Sequence, residues 1–212
     1  MIRFLYADQL HAFPRLADTM FRDRATQFHE RLGWDVSVDR DGWERDQYDD
    51  LNPLYVIWEQ PDGRHGGSMR FLPTTGRTMV NEHFLSLTGG VRIASPLIWE
   101  CTRFCLAPDA KPAVSAALML AGGEILRNFH LEHFVGVFDA RMIRVYQLLG
   151  GTPDVLGMSG TGADAIGVGL WEFSQVAQDK LMRRSGVTQD QLHEWFAAAF
   201  PTGVKAALAL AG

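Results

Sequence analysis

The feature that most constrains this chain is charge placed inside apolar, strand-like runs. Arg70 stands in Ser68-Met69-Arg70-Phe71-Leu72, and Glu100 and Arg103 stand in Ile98-Trp99-Glu100-Cys101-Thr102-Arg103-Phe104-Cys105-Leu106. An unpaired charge is costly to bury, so a fold that uses these runs as strands must bring acids to Arg70 and Arg103. The supply lies upstream, where Glu44, Asp46, Asp49 and Asp50 crowd a polar connection that begins at Gly33-Trp34-Asp35-Val36. Glu100, Asp46 and Asp49 are the natural partners. The same connection has little apolar periodicity, and its carboxylates and the Trp34 face would suit a cationic, amine-bearing small molecule. Spacing alone leaves both a structural ion-pair network and a ligand site open.

The rest of the composition narrows the class. A chain of 212 residues, 47% of them hydrophobic, can bury the core of one compact domain. We expect that domain to span residues 1–200, with a loosely held tail over 201–212. The net charge of −5 argues against wholesale nucleic-acid binding. No apolar run approaches the roughly 18 residues of a membrane span. The N-terminal Met1-Ile2-Arg3-Phe4-Leu5-Tyr6-Ala7-Asp8 is soon interrupted by charge and lacks a signal-peptide profile. The expectation is a cytoplasmic protein without a membrane partner. Cys101 and Cys105, four apart, would share one face of a strand, too distant to bridge, and read as buried free thiols.

Leu16, Met20, Phe21, Ala25, Phe28 and Leu32 recur at helical spacing, which predicts an amphipathic helix over about 13–31, ended by Gly33. Residues 53–58 read as a buried strand, Pro61-Asp62-Gly63 as a turn and 67–72 as the hairpin partner. Residues 77–95 look irregular. On a strand over 98–106, Glu100, Thr102, Phe104 and Leu106 share one face and Trp99, Cys101, Arg103 and Cys105 the other. Glu100 and Arg103 therefore diverge unless a bulge or twist intervenes. A helix over 114–129, a strand over 133–138, a helix over 140–149, a strand over 166–173 and helices over 174–184 and 188–200 complete the pattern. The last opens on a capping box, Thr188 with Gln191. The sum is a mixed α/β domain around one sheet, in which a sheet edge or the point where strands part could hold a ligand.

These residues carry a resemblance. The chain resembles the acyl-homoserine-lactone synthases, the LuxI-type autoinducer synthases of quorum sensing. The match comprises Arg24 and Phe28 in Arg24-Ala25-Thr26-Gln27-Phe28, Gly33-Trp34, and Asp46 and Asp49 in Glu44-Arg45-Asp46-Gln47-Tyr48-Asp49. It continues with Arg70 in Met69-Arg70-Phe71-Leu72-Pro73-Thr74-Thr75-Gly76, Phe84, and Glu100 with Arg103 in Trp99-Glu100-Cys101-Thr102-Arg103-Phe104. From about residue 110 onward it rests on the order of elements. The resemblance implies a three-layer α/β/α sandwich with a mixed central sheet, similar to the GNAT acetyltransferases. It implies an acyltransferase that joins S-adenosylmethionine, a substrate and not a cofactor, to an acyl thioester, usually carried on acyl carrier protein. The products are an N-acyl-homoserine lactone and methylthioadenosine.

On this reading Glu100, Arg103, Asp46, Asp49 and Arg70 are the catalytic candidates. Glu100 would act as base toward the substrate amine or orient Arg103 or Arg70. Asp46 and Asp49 would hold the ammonium end or fix Arg24 and Arg103, and Arg70 would pair with the substrate carboxylate or close the acidic network. Arg24, Phe28, Trp34 and Phe84 are candidates for the S-adenosylmethionine site, with core packing the competing role for Phe28 and Phe84. The resemblance places the acyl pocket between the sheet and the later helices, where Thr102, Met79, Leu118, Met119, Phe134, Val137, Phe138, Met142 and Tyr146 could line it. Phe134-Val135-Gly136-Val137-Phe138 lacks the threonine that many makers of 3-oxo products carry there, which argues against a 3-oxo preference. GNAT enzymes cradle coenzyme A on a Gly-rich turn. The matching Ala107-Pro108-Asp109-Ala110-Lys111-Pro112 has no glycine, which favours a carrier-protein donor over acyl-coenzyme A. Arg127, Arg141 and Arg144 are candidates to receive that acidic carrier. His130-Leu131-Glu132-His133 lacks a third ligand at a recognised spacing, so no metal is expected. An N-acyltransferase for another amine and a non-catalytic ligand sensor are the competing functions.

Overall fold

The computed structural model describes residues 1–162 and 165–201; apart from Pro201, the expected loose tail lies outside them. Seven strands form one sheet: β1 (Ile2–Tyr6), β2 (Leu54–Glu59), β3 (His65–Pro73), β4 (Ile98–Leu106), β5 (His133–Asp139), β6 (Asp154–Ser159) and β7 (Ile166–Trp171). Their order is β1-β2-β3-β4-β5-β7-β6. All neighbours are antiparallel except β4 and β5. The helices are α1 (Pro14–Arg24), α2 (Met79–His83), α3 (Pro112–Asn128), α4 (Met142–Leu149), α5 (Gln175–Ser185) and α6 (Gln189–Ala199).

Strand alternation divides the apolar residues between two faces. Phe4, Val56, Met69 and Phe71 meet α3 and α6 through Leu118, Leu120, Leu192 and Phe196. Leu5, Tyr55 and Ile57 meet α1 through Leu16, Met20 and Phe21 on the other face. A smaller cluster on the α1 side joins Val80 of α2 to Val135 and Val168. The result is the expected three-layer α/β/α sandwich with a mixed sheet. The Thr188–Gln191 capping box is present at the start of α6.

Two departures in the chain's path shape the site. The predicted helix over 13–31 is α-helical only to Arg24, and Ala25–Arg31 widens into a π-helical turn, a feature that often marks functional segments. Gly33, at φ +64°, then reverses the chain so that the Trp34 N–H donates to the Phe28 carbonyl at 2.9 Å. Second, β4 bulges. Ser68 pairs with Cys105 and Arg70 with Thr102, so Arg103 and Phe104 together oppose Met69. Arg103 sits there at φ +53°, a left-handed conformation that costs a residue with a side chain about 1–2 kcal/mol. The bulge turns Arg103 onto the α1 side with Glu100 and Thr102, while Trp99, Cys101, Phe104 and Leu106 all pack toward α3. The shared face expected for Cys101 and Cys105 is therefore corrected. Cys101 faces Met69 on the α3 side, and Cys105 is buried beside Asp23 and Arg24. Burial pushes both thiols up to about 12.

Other expectations also change. Residues 77–95 are not irregular throughout: they contain α2 and a 3-10 turn over Leu85–Thr88. β1 and β6 are strands that periodicity did not indicate. Arg3 interrupts the apolar run of β1 and pairs with Glu59 at 2.6 Å. β6 is an edge strand with Val155, Leu156 and Met158 exposed, so it has no buried face to leave a pattern. It follows a glycine-led path past the 3-10 turn, where a Cβ on Gly157 would lie 2.2 Å from the Leu87 carbonyl oxygen. Because backbone and not a flexible side chain blocks it, Gly157→Ala should lower stability by about 1–3 kcal/mol. Urea denaturation checks this; an unchanged midpoint would contradict the close approach.

Candidate active site

Two buried arginines, the partly buried Arg103 and three carboxylates meet on the α1 side of the sheet. Arg24, at the last turn of α1, donates Nε to Glu44 at 2.6 Å and both terminal nitrogens to Asp49 at 3.0 Å. Arg70 on β3 donates to Asp46 at 2.5 and 2.9 Å, to Asp49 at 2.7 Å and to the Thr102 hydroxyl at 3.0 Å. Arg103, at the β4 bulge, reaches Glu44 and Asp46, each at 2.8 Å. Tyr55, directly opposite Arg70 on β2, donates its hydroxyl to Asp49. Burial opposes ionisation of Asp49, but Arg24 and Arg70 outweigh it and hold this carboxyl far below the ordinary carboxylate range. Asp46 is lowered in the same way against its burial, by Arg70 and Arg103.

The paired arrangement shows what each of these groups touches. Asp46 and Asp49 fix Arg24, Arg70 and Arg103. Arg70, fully buried, closes the network. Of the three carboxylates only Asp46 keeps side-chain exposure, 14%; Glu44 and Asp49 keep none. The acidic segment is therefore occupied by arginines. Glu44 was not singled out as a site residue, although it lies in the same acidic segment and holds two of the three arginines.

Glu100 has a different position from the one expected. Its two oxygens accept the backbone N–H groups of Met79 at 3.0 Å and Val80 at 2.6 Å, so it fastens the start of α2. Arg70 and Arg103 take their acids from the 44–49 segment. Burial raises the Glu100 pKa, and the two N–H bonds only partly offset that.

The parting of β4 and β5 opens a cavity beside this network. The two strands pair only over Ile98–Glu100 and His133–Val135 and then diverge. A cavity of about 420 Å³ runs through the gap. At its α1-side mouth lie Phe28, Trp34, Thr102 and Arg103. Phe28 and Trp34 stack at 5.1 Å with their planes 14° apart, and the Arg103 guanidinium sits 5.3 Å from the Phe28 ring centre. Met79 and Val137 line it from the α1 side as well, and on the α3 side the walls include Met119, Phe134, Phe138, Met142, Tyr146 and Trp171. Gly136 also lines the gap, where a Cβ would come within 3.1 Å of the Cys101 carbonyl oxygen.

Other sequence-derived candidates lie elsewhere. Phe84 packs, half-buried, against the small Val80–Val135–Val168 cluster. Leu118 is closed in the main core, fully buried, because α3 turns it onto β2 and β3. Arg127 places its guanidinium 5.5 Å from the Phe173 ring. Arg141 lines the cavity and pairs with Asp139 at 3.5 Å, and both Arg141 and Arg144 are exposed on the α4 segment. A second buried relay, Asp23–His65–Ser68 at 2.7 and 3.0 Å, ties α1 to β3.

Asp49 has five donors around it, so Asp49→Asn should leave buried guanidinium charge uncompensated and cost about 3–5 kcal/mol. Asp50→Asn, which touches only the exposed Arg45, should cost less than about 1 kcal/mol. The stability contributed by Asp46 and Asp49 is present above the unfolded aspartate pKa of about 3.9 and lost as pH falls through their lower folded values. Urea titrations of the two variants at neutral pH check the contrast; equal midpoints would contradict it.

Comparison with known proteins identifies the family. The autoinducer synthase family pattern matches residues 9–164. An acyl-homoserine-lactone synthase of Rhizobium etli is 42% identical over 181 residues, covering 82% of this chain and 85% of its own. Among solved structures, the coenzyme A-dependent acyl-homoserine lactone synthase BjaI, bound to S-adenosylmethionine and isopentyl-CoA, superposes with a TM-score of 0.76 at 23% identity. That match covers 92% of this chain and 98% of BjaI. An N-acetyltransferase-type protein of Lactobacillus plantarum shares the fold, with a TM-score of 0.54 at 15% identity over 82% of this chain and 99% of its own. The arginine–carboxylate wall, the aromatic mouth and the parted strands thus sit in a chain that belongs to the autoinducer synthase family, the acyl-homoserine-lactone synthases.

Proposed function

We propose that this enzyme binds S-adenosylmethionine at the Phe28–Trp34 mouth and threads the acyl chain of a thioester through the gap between β4 and β5. The observation that carries the reading is a continuous cavity that crosses the sheet. Its mouth is aromatic and edged by charge, and its far half is apolar. An aromatic face beside a cation is worth about 0.5–2 kcal/mol, which suits the sulfonium. Trp34, 41% exposed, offers such a face. Asp46, the one network carboxylate with an exposed edge, lies on the same side of the sheet.

Two displacements follow from that placement. The substrate amine attacks the thioester carbonyl, forming the C–N bond and breaking the C–S bond; the thiol leaves and the amine gives up a proton. The substrate carboxylate then attacks the carbon bearing the sulfonium, closing the lactone as methylthioadenosine departs. An α-amino group with a pKa of about 8 is roughly one-tenth neutral at pH 7, so a modest nucleophilic fraction exists without a dedicated base. With both its oxygens held by α2, Glu100 acts here as a positioning residue that sets Met79 against the cavity. Asp46, Asp49, Arg70 and Arg103 hold the rigid wall beside which the amine is presented, and Arg24 anchors that wall to α1.

For the donor we favour an acyl carrier protein. The turn before α3 has no glycine, and the exposed Arg141 and Arg144 lie beside the cavity, where an acidic carrier would be steered. Acyl-coenzyme A is the alternative, favoured by the coenzyme A dependence of BjaI.

Purified enzyme given S-adenosylmethionine and a panel of carrier-bound and coenzyme A-bound acyl groups should release methylthioadenosine in step with lactone, faster from carrier. Absence of methylthioadenosine with every donor would overturn the reading. Glu100→Gln replaces one acceptor by a donor facing an N–H, so it should cost about 1–3 kcal/mol of stability. Its kcat/KM should still rise with pH up to about 8, as the amine titrates. Disappearance of that rise would instead make Glu100 the base.

A further inference from the structure

The mostly apolar half of the cavity contains a buried amide with no partner. Gln178, on α5, lines the cavity and is 2% exposed. Among the described residues, its amide nitrogen and oxygen are the buried side-chain polar atoms without a hydrogen-bond partner. Buried polar groups are nearly always paired, and an unpaired one is destabilising. Two of the neighbouring polar groups have partners within the protein. Trp171 donates its ring N–H to the Gly151 carbonyl at 2.8 Å, and the Ser174 hydroxyl accepts the Ala177 N–H at the start of α5.

The amide is also closely seated. It packs against Gly123 of α3, where a Cβ would lie 2.5 Å from Nε2, 2.8 Å from Cδ and 3.0 Å from Oε1. Glycine in the middle of a helix is unfavourable. Here Gly123 makes room for the amide that the α3–α5 contact would otherwise exclude. Its neighbour Gly122 faces the sheet instead, near Phe134 and Met69. Gln178 therefore stands in the helical layer, beyond the strands between which the reacting carbonyl is placed.

We propose that Gln178 is a specificity-determining residue that reads a hydrogen-bonding oxygen, a hydroxyl or keto group, on the distal part of the acyl chain. The inference rests on the proposed path of the acyl chain through the sheet. A plain alkyl chain filling this cavity would strand the amide in hydrocarbon. An oxygen at the matching depth accepts from Nε2, and a hydroxyl can alternatively donate to Oε1. A site that hydrogen-bonds its ligand rejects the analogue lacking that group far more strongly than an apolar pocket discriminates by size.

The test compares kcat/KM, read as methylthioadenosine release, for acyl thioesters of six to twelve carbons. Each is unsubstituted, hydroxylated or oxidised to a ketone near the chain end, or hydroxylated at the third carbon. The wild type should favour a distally oxygenated chain over its alkyl counterpart by about 10-fold or more. Gln178→Leu should erase that ratio while its melting temperature stays level or rises, because an unpaired amide is replaced by a similarly sized apolar group. Gln175→Leu, on the exposed face of α5, should leave the ratio in place. A wild-type ratio near one, or a preference confined to the third-carbon hydroxyl, would overturn the inference, and this holds even if Gln178→Leu fails to fold. A ratio that survives Gln178→Leu would also overturn it. Silence with every donor would instead be the failure of the proposed function.

Discussion

The rest of the site depends on the buried exchange between Arg24, Arg70 and Arg103 and Glu44, Asp46 and Asp49. Three guanidiniums oppose three carboxylates, so the cluster is neutral, and each arginine comes from a different element. Arg24 ties in α1, Arg70 the centre of β3, and Arg103 the bulge of β4. The polar 44–50 segment lacks helix or strand over most of its length, and these bonds hold it in place. Such a cluster is weak evidence for net stability, since desolvation can consume its Coulombic gain. Its effect here is geometric: it holds Arg103 in a left-handed conformation and thereby directs both faces of β4.

That geometry separates two chemistries across one sheet. With the bulge, Glu100, Thr102 and Arg103 face α1, and Cys101 and Phe104 face α3. Where β4 leaves β5, the gap connects the sides. Gly136 keeps the gap narrow in mass but open in space, because a Cβ there would crowd both the Cys101 carbonyl and the Trp171 ring. The π-helical turn and Gly33 bring Phe28 and Trp34 to the α1-side mouth. No helix among the described residues is long and apolar enough to cross a membrane.

Much of this arrangement is written locally. Charges inside apolar strands forecast a paired network, and the pattern of helices and strands forecasts the sandwich. The partners themselves are non-local. Nothing in the spacing of Glu44 separates it from Asp50, yet one is fully buried and the other exposed; the difference comes from Glu44 N–H bonding to the Phe21 carbonyl across the fold. Glu100 read as an acid for the arginines because α2 was hidden in an irregular-looking stretch. Leu118 is an apolar residue at a plausible position that rotation of α3 sends into core, and Phe84, just past α2, packs half-buried against a small satellite cluster. Gln178 left no signal, since a glutamine on a helix is ordinarily a solvent-facing residue, and only the packing of α5 on the Gly123 turn buries it. β6, an exposed edge strand, has no buried side to generate a pattern.

The central claim is that one cavity holds the amine substrate at the aromatic mouth and the acyl chain across the sheet. A crystal structure of the enzyme with methylthioadenosine and an unreactive acyl-pantetheine bound tests it most directly. The account predicts the adenosyl group within about 4 Å of the Phe28–Trp34 stack, and the acyl chain between β4 and β5 with its end on the α3 side. A nucleoside bound away from Trp34, or an acyl chain lying wholly on the α1 side, would contradict it.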